Sequence, residues 1–123
     1  MEKIIRVGVC KGRHEMPCSD YVFDKIEDPT NIEYLRAIAK AYFQMLWECC
    51  PHQKCYYSDE WCMDHYVTKI DAVIEIYVTG LTVAVIETVR AALYYFSGYD
   101  VVLMHYDSKT NTYYPQKLNL FVC

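Results

Sequence analysis

The sequence predicts an α/β fold: a single Rossmann-like domain with a mostly parallel sheet, a terminal hairpin and flanking helices. Three observations predict it. Apolar, β-branched runs alternate with stretches of helical periodicity in the order strand, helix, strand, helix, strand, strand, an order that needs crossovers and therefore parallel pairing. The last two runs are joined only by "SKTN", which is too short for a crossover and reads as a hairpin turn. With 123 residues, 54% of them hydrophobic, the chain is sized for one core, and residues 1–123 read as one domain with no internal repeat, low-complexity run or linker.

The first run, "KIIRVGVC" (Lys3 to Cys10), is β-branched with short alternation and reads as a strand. "KGRHEMPCSD" follows as a loop broken by Gly12 and Pro17, and "YVFDKI" as a short edge strand. "DPTNIEYLRAIAKAYFQMLWECC" is the clearest helix. Pro29 precedes it, Thr30 and Glu33 have capping-box spacing, and Ile32, Leu35, Ile38, Ala39, Tyr42, Phe43 and Leu46 recur at three- and four-residue intervals on one face. "KIDAVIEIYVTG" is a buried strand. "LTVAVIETVRAALYYF" is a helix apolar nearly all round, which predicts cover on more than one side. "YDVVLMHYD" is another buried strand, and "TYYPQKLNLF" the last, placed at an edge by Pro115.

A net charge of −4 disfavours duplex DNA as a partner, although a small anion needs only local donors. There is no uncharged run of about eighteen apolar residues, so no membrane span is expected, and "MEKIIRVGVCKGRHE" lacks a signal-peptide core, which favours a cytoplasmic location. The seven cysteines read as thiols or metal ligands in that setting. Thirteen tyrosines is a high count; some belong in the core, and others could offer flat faces to rings such as nucleobases.

Chemistry concentrates where parallel strands end, because ligands of open α/β sheets sit beyond the carboxyl ends. In "YVTGLTVAVIETV", Gly80 lets a ligand or a second backbone come close, the N–H groups of Leu81, Thr82 and Val83 favour an anion, and Thr79 and Thr82 add hydroxyls. The same residues equally describe a tight turn capped by Thr82. No GxGxxG or Walker sequence is present, which disfavours dinucleotide and triphosphate sites of those kinds. After the first strand, "CKGRHEMP" offers Lys11, Arg13 and His14 as possible cations beside Gly12 and Glu15. Arg13 could fork onto a phosphate, His14 could move a proton, and Glu15 could orient the histidine or meet a ribose hydroxyl. A solvated charged loop is the plainer reading. His105 closes the strand "VVLMHYD", with Tyr106 and Asp107 after it and Tyr113 and Tyr114 returning on the next strand, as a second proton-transfer candidate. The Cys/His-rich insertion at 49–66 contains Cys50, His52, Cys55, Cys62 and His65. Only Cys62 and His65 form a tight pair, so a zinc site has the ligand types but poor spacing.

Taken together, "GRHEMP", the Gly80-Leu81…Ala84 turn, and the Gly-Tyr-led strand with "VVLMHYD…YYPQKL" resemble small CRISPR-associated Rossmann-like (CARF-related) proteins that bind cyclic oligoadenylates. These include ring nucleases and their phage-encoded, anti-CRISPR counterparts. The resemblance covers roughly residues 70–120, with "VGVCKGRHEMP" in support, and the Cys/His insertion departs from the compact form of that family. It implies a homodimer holding one ring, with cyclic tetra-adenylate favoured, across its two-fold axis, since an even-membered ring can share that symmetry. It also implies cleavage by the ribose 2′-OH without metal or cofactor, switching off type III CRISPR-type antiviral signalling. Arg13, the Gly80–Thr82 amides and Lys11 would meet phosphate charge. His14, then His105, would transfer protons, and Tyr106 and Tyr114 would meet adenines. The alternatives are a sponge that binds the ring without cutting it, and a zinc-stabilised protein-interaction module built on the Cys/His insertion.

Overall fold

A computed structural model of the chain describes residues 3–12, 15–49 and 72–118. The elements are β1 (Lys3–Cys10), β2 (Asp20–Phe23), α1 (Ile32–Glu48), β3 (Ala72–Tyr77), α2 (Thr82–Tyr95), β4 (Asp100–Asp107) and β5 (Thr112–Lys117). They form one five-stranded sheet in the order β2-β1-β3-β4-β5. The pairs β1–β2, β1–β3 and β3–β4 are parallel, and β4–β5 is the antiparallel hairpin. Pro115 lies on β5, an edge strand, as its missing N–H requires.

Alternation along the strands divides the sheet into two unlike faces. Val7 and Val9, Ile74 and Ile76, and Val101 and Leu103 all join the core cluster with Leu35, Ala39 and Phe43 of α1 and Ala84 and Ala92 of α2. Both helices therefore cover the same face. Right-handed crossovers that step the same way across a sheet, β2 to β3 and then β3 to β4, place their helices so. Phe43, Trp47, Phe96 and Tyr99 close the amino-end side of this core edge-to-face, with Trp47–Phe96 and Phe96–Tyr99 centroids 5.2 and 4.9 Å apart. On α1 the predicted stripe is the one that packs, apart from Ile32, which is exposed. The helix is capped differently from expectation. Asn31 is the N-cap, its Oδ1 accepting from Tyr34 N–H at 3.2 Å, while Thr30 bonds to the Asp28 carboxylate. On α2 the expected cover on more than one side comes from the sheet and from α1, with Val83, Val85, Val89, Ala91 and Tyr95 packed against the core around the buried residues. Ala84, Glu87, Thr88 and Ala92 are buried, whereas Ile86, Leu93 and Tyr94 are exposed.

Among the described residues Glu87 is the buried charged group, and Arg36 from α1 grips it with both prongs, Nε to Oε1 at 3.0 Å and Nη2 to Oε2 at 3.1 Å. Arg90 adds a 3.5 Å contact to Oε2. The hydrogen bonds from Arg36 hold the Glu87 carboxyl below its ordinary range, against the opposing effect of burial. A pKa lowered by folding means that the unfolded chain binds more protons. The stabilisation is then complete above the unfolded carboxyl pKa, about 4.3, and is lost as pH falls through the folded value. Glu87→Gln should lower the thermal midpoint by on the order of 5 °C near neutral pH. Melting curves recorded down to about pH 3 should show the difference from the native chain shrinking below that unfolded pKa. A difference independent of pH would show that Glu87 acts through packing alone.

The other face carries no helix among the described residues, and the described parts of the β1–β2 connection, residues 11–12 and 15–19, contain none. Parallel strands need the chain to travel back along the sheet, and here it does so close against the surface. A Cβ on Gly8 would lie 2.5 Å from a Tyr21 ring carbon and 2.9 Å from the Met16 sulfur. Gly8 is therefore demanded by the return path. Gly8→Val should cost about 1–3 kcal/mol through overpacking, read as a lower urea midpoint with an unchanged slope. An unaltered midpoint would contradict this path for the connection.

Candidate ligand-binding edge

The strand order sets where a ligand can enter. From β1 the chain steps one way to β2, and from β2 it crosses back to β3 on the other side of β1. The direction reverses between β1 and β3, so their carboxyl ends diverge into a crevice with helical and loop connections on opposite faces. Gly8 pairs with Tyr77, and three residues beyond each lie Lys11 and Gly80. The two stretches singled out by sequence, Lys11–Gly12 and Thr79–Thr82, thus leave the sheet at neighbouring positions.

Gly12 is exposed and has φ of 82°, the left-handed region that suits glycine. Gly80 is different. Its φ is not left-handed, and an added Cβ would meet nothing within 4 Å. Among the described residues, neither turn geometry nor packing calls for glycine there, and none of them fills the space above it. Thr79 Oγ1 accepts from Leu81 N–H at 3.3 Å, which removes the Leu81 amide from the set expected to face an anion. Leu81 is the N-cap of α2 and Thr82 the first helical residue, so Thr82 does not cap the helix, and no side chain does. The first intrahelical bond is Val85 N–H to Leu81 O, leaving the Thr82, Val83 and Ala84 amides as the helix-start donors.

Next to this crevice, on the helix-free face, lies a cleft of about 480 Å³ lined by Glu15, Met16, Pro17, Tyr106, Asn111 and Tyr113. The Tyr113 hydroxyl donates to the Glu15 carbonyl at 3.2 Å, tying the β1–β2 connection to the hairpin. Tyr106 donates to Asn111 Oδ1 at 2.7 Å. The Tyr113 ring stands edge-on to Tyr77 at 4.9 Å and contacts Tyr106 at 5.3 Å. Burial pushes the Tyr113 and Tyr77 phenols up to about 12, so both are donors at neutral pH. Tyr77 spends its proton on Glu75 Oε1, which Arg6 Nε also reaches at 3.1 Å.

Hairpin register separates candidates that sequence reading had grouped. Tyr106 pairs with Tyr113, and His105 with Tyr114. Tyr106 therefore belongs to the cleft side, whereas His105 and Tyr114 stack on the helix-bearing side with centroids 5.4 Å apart. His105 Nε2 is 2.7 Å from Gln116 Oε1. Sequence reading placed Tyr113 and Tyr114 on the returning strand but took Tyr114 as the binding residue, and it missed Asn111; counting outward from the "SKTN" turn puts Tyr113 opposite Tyr106.

Arg13 and His14 lie outside the described residues, as do Cys50, His52, Cys55, Cys62 and His65. Among the described residues no three His, Cys, Asp or Glu side chains form a metal-binding group, and no helix is long and apolar enough to cross a membrane. Cys18 and Cys49 are free thiols, and burial raises the Cys18 pKa, away from a thiolate nucleophile. No family model matches this chain, and neither does any curated protein or solved structure.

Proposed function

We propose that this chain binds a cyclic oligoadenylate at the carboxyl edge of its sheet, as a homodimer around one ring, and cleaves it without metal. The observation that carries the reading is the convergence of Lys11–Gly12 and Thr79–Thr82 on the β1/β3 switch point. Phosphates meet the Thr82 and Val83 amides, Lys11 and Arg13, while the open space over Gly80 lets the ribose-phosphate backbone come close. Each ribose 2′-oxygen attacks its adjacent phosphorus as the 2′-OH proton departs. The bond to the leaving 5′-oxygen breaks, and that oxygen takes up a proton. The products are a 2′,3′-cyclic phosphate and a 5′-hydroxyl. The protein's part is to hold the attack in line and to balance charge on the phosphate oxygens. His14 is the proton carrier, with His105 second. Such a reaction would end a nucleotide-activated defence signal.

Calorimetric titration with cyclic tetra-adenylate tests binding and symmetry together. One ring per two chains is the expected stoichiometry. One ring per chain would exclude the shared two-fold axis, and no heat with no competition by a labelled ring would overturn the reading.

A further inference from the structure

The amino half of β1, away from the carboxyl edge, has an open backbone edge. Hydrogen-bond phase locates it. Leu118 N–H donates to Val101 O, and Val78 N–H to Met104 O. A strand residue points its N–H and C=O to one side, and its neighbours point theirs to the other. Carried across the registers, odd residues of β4 face β5, even residues of β3 face β4, and odd residues of β1 face β3. Ile4 and Arg6 therefore turn their backbone groups toward the β2 side. Yet β2 begins only at Asp20, opposite Val7. The Ile4 N–H and C=O and the Arg6 N–H lie short of its start, beside an open cleft of about 550 Å³ lined by Ile4, Ile5, Arg6 and residues 17–20. The far edge of the sheet is closed by contrast. On β5 the odd residues face outward, and Pro115 removes the donor of the middle one.

An uncovered strand edge is a template for another strand. We infer that this notch accepts an extended segment of a partner protein, in line with β2, that carries a lysine or arginine between two apolar residues. Side-chain chemistry sets that composition. Val7 and Val9 face the helices, so Ile5 does too, and Ile4 and Arg6 lie on the helix-free face. Arg6 is already matched, its Nε held 3.1 Å from Glu75 Oε1. Asp20 is not. Its exposed carboxylate takes part in no hydrogen bond or ion pair among the described residues. Asp20 shares the helix-bearing face with Val7, its register partner. A segment residue opposite Ile5 stands two positions from Asp20 in the same line and on the same face, so a basic side chain there reaches the carboxylate. The two flanking residues fall on the helix-free face beside Ile4, which is 41% exposed, and the Arg6 stem, and they suit apolar side chains.

The probe is the terminally blocked pentapeptide Thr-Val-Lys-Val-Thr, titrated into the full chain with a backbone ¹⁵N label. Saturable shifts should centre on the Ile4 and Arg6 amides. Exchanging the peptide's lysine for glutamate should weaken binding about fivefold, the upper range for an exposed ion pair, and Asp20→Asn should remove that preference. A chain made by ligating a synthetic 1–9 segment at Cys10, with the Ile4 nitrogen methylated, loses one outward donor and keeps the β1–β3 pairing, which uses odd residues. Its affinity for the peptide should fall about tenfold or more. Shifts that map elsewhere, or no shifts, overturn the notch on the native chain alone, whether or not the methylated chain folds. Undiminished binding to a folded methylated chain does the same. Equal binding of the lysine and glutamate peptides overturns the basic partner. Light scattering on the chain alone tests the other occupant: a dimer that Ile4 methylation splits would make the added strand a second copy and overturn the partner protein.

Discussion

His14→Ala is expected to slow cleavage of cyclic tetra-adenylate by about 100-fold or more, the usual contribution of a positioned proton carrier, while its affinity changes no more than about threefold. The reaction requires a proton to leave the 2′-oxygen and another to reach the 5′-oxygen. Histidine is the side chain that does this near neutral pH, because its ordinary pKa lies there. His14 follows Gly12, whose left-handed backbone ends the β1 side of the switch point, and precedes Glu15, which the Tyr113 hydroxyl anchors. Single-turnover rates and equilibrium binding, measured on the same preparation, separate the two effects. Equal losses in rate and affinity would make His14 a binding residue only. Loss of rate in His105→Ala instead would move the proton transfer to the other face of the sheet, where His105 meets Gln116.

Arg13→Ala is expected to weaken ring binding tenfold or more, since a charge-assisted contact to phosphate is stronger than a neutral one. Arg13→Lys should recover part of the loss, because an ammonium restores the charge without the two-pronged geometry. The binding should also weaken as salt is raised, and less steeply in Arg13→Ala than in the native chain. Unchanged affinity in Arg13→Ala would remove Arg13 from the pocket and leave Lys11 and the α2 amides as its charge partners.

The fold was legible because its signals are local. Hydrophobic period placed α1 through Leu35, Ala39 and Phe43, and β-branched runs placed β1, β3 and β4. The four-residue turn placed the hairpin. What local signals could not supply was which faces are covered. The apolar residues of α2 predicted cover on more than one side, which the sheet and α1 supply, but not which residues stay outside: Ile86, Leu93 and Tyr94 are exposed. Capping was misread for a similar reason. Thr30 and Glu33 have the right spacing, but Asp28 takes the Thr30 hydroxyl and leaves Asn31 to cap.

The candidate edge was partly legible. Gly12 and Gly80 marked strand ends, and parallel pairing brings those ends together. The cleft was not, because it depends on hairpin register. A shift of one residue exchanges Tyr113 for Tyr114, and with it the face on which an aromatic ring appears. Gly8 carried no signal at all in sequence. Its reason lies on the helix-free face, where Met16 of the β1–β2 connection and Tyr21 of β2 leave no room for a side chain.

The most direct measurement of the central claim is incubation of the purified protein with cyclic tri-, tetra- and hexa-adenylate in excess EDTA, with products read by mass spectrometry. The account predicts linear oligoadenylates ending in a 2′,3′-cyclic phosphate, with cyclic tetra-adenylate consumed fastest. Intact rings recovered from protein that had bound them would contradict cleavage and make the chain a sponge, and rings neither bound nor cut would contradict the account as a whole.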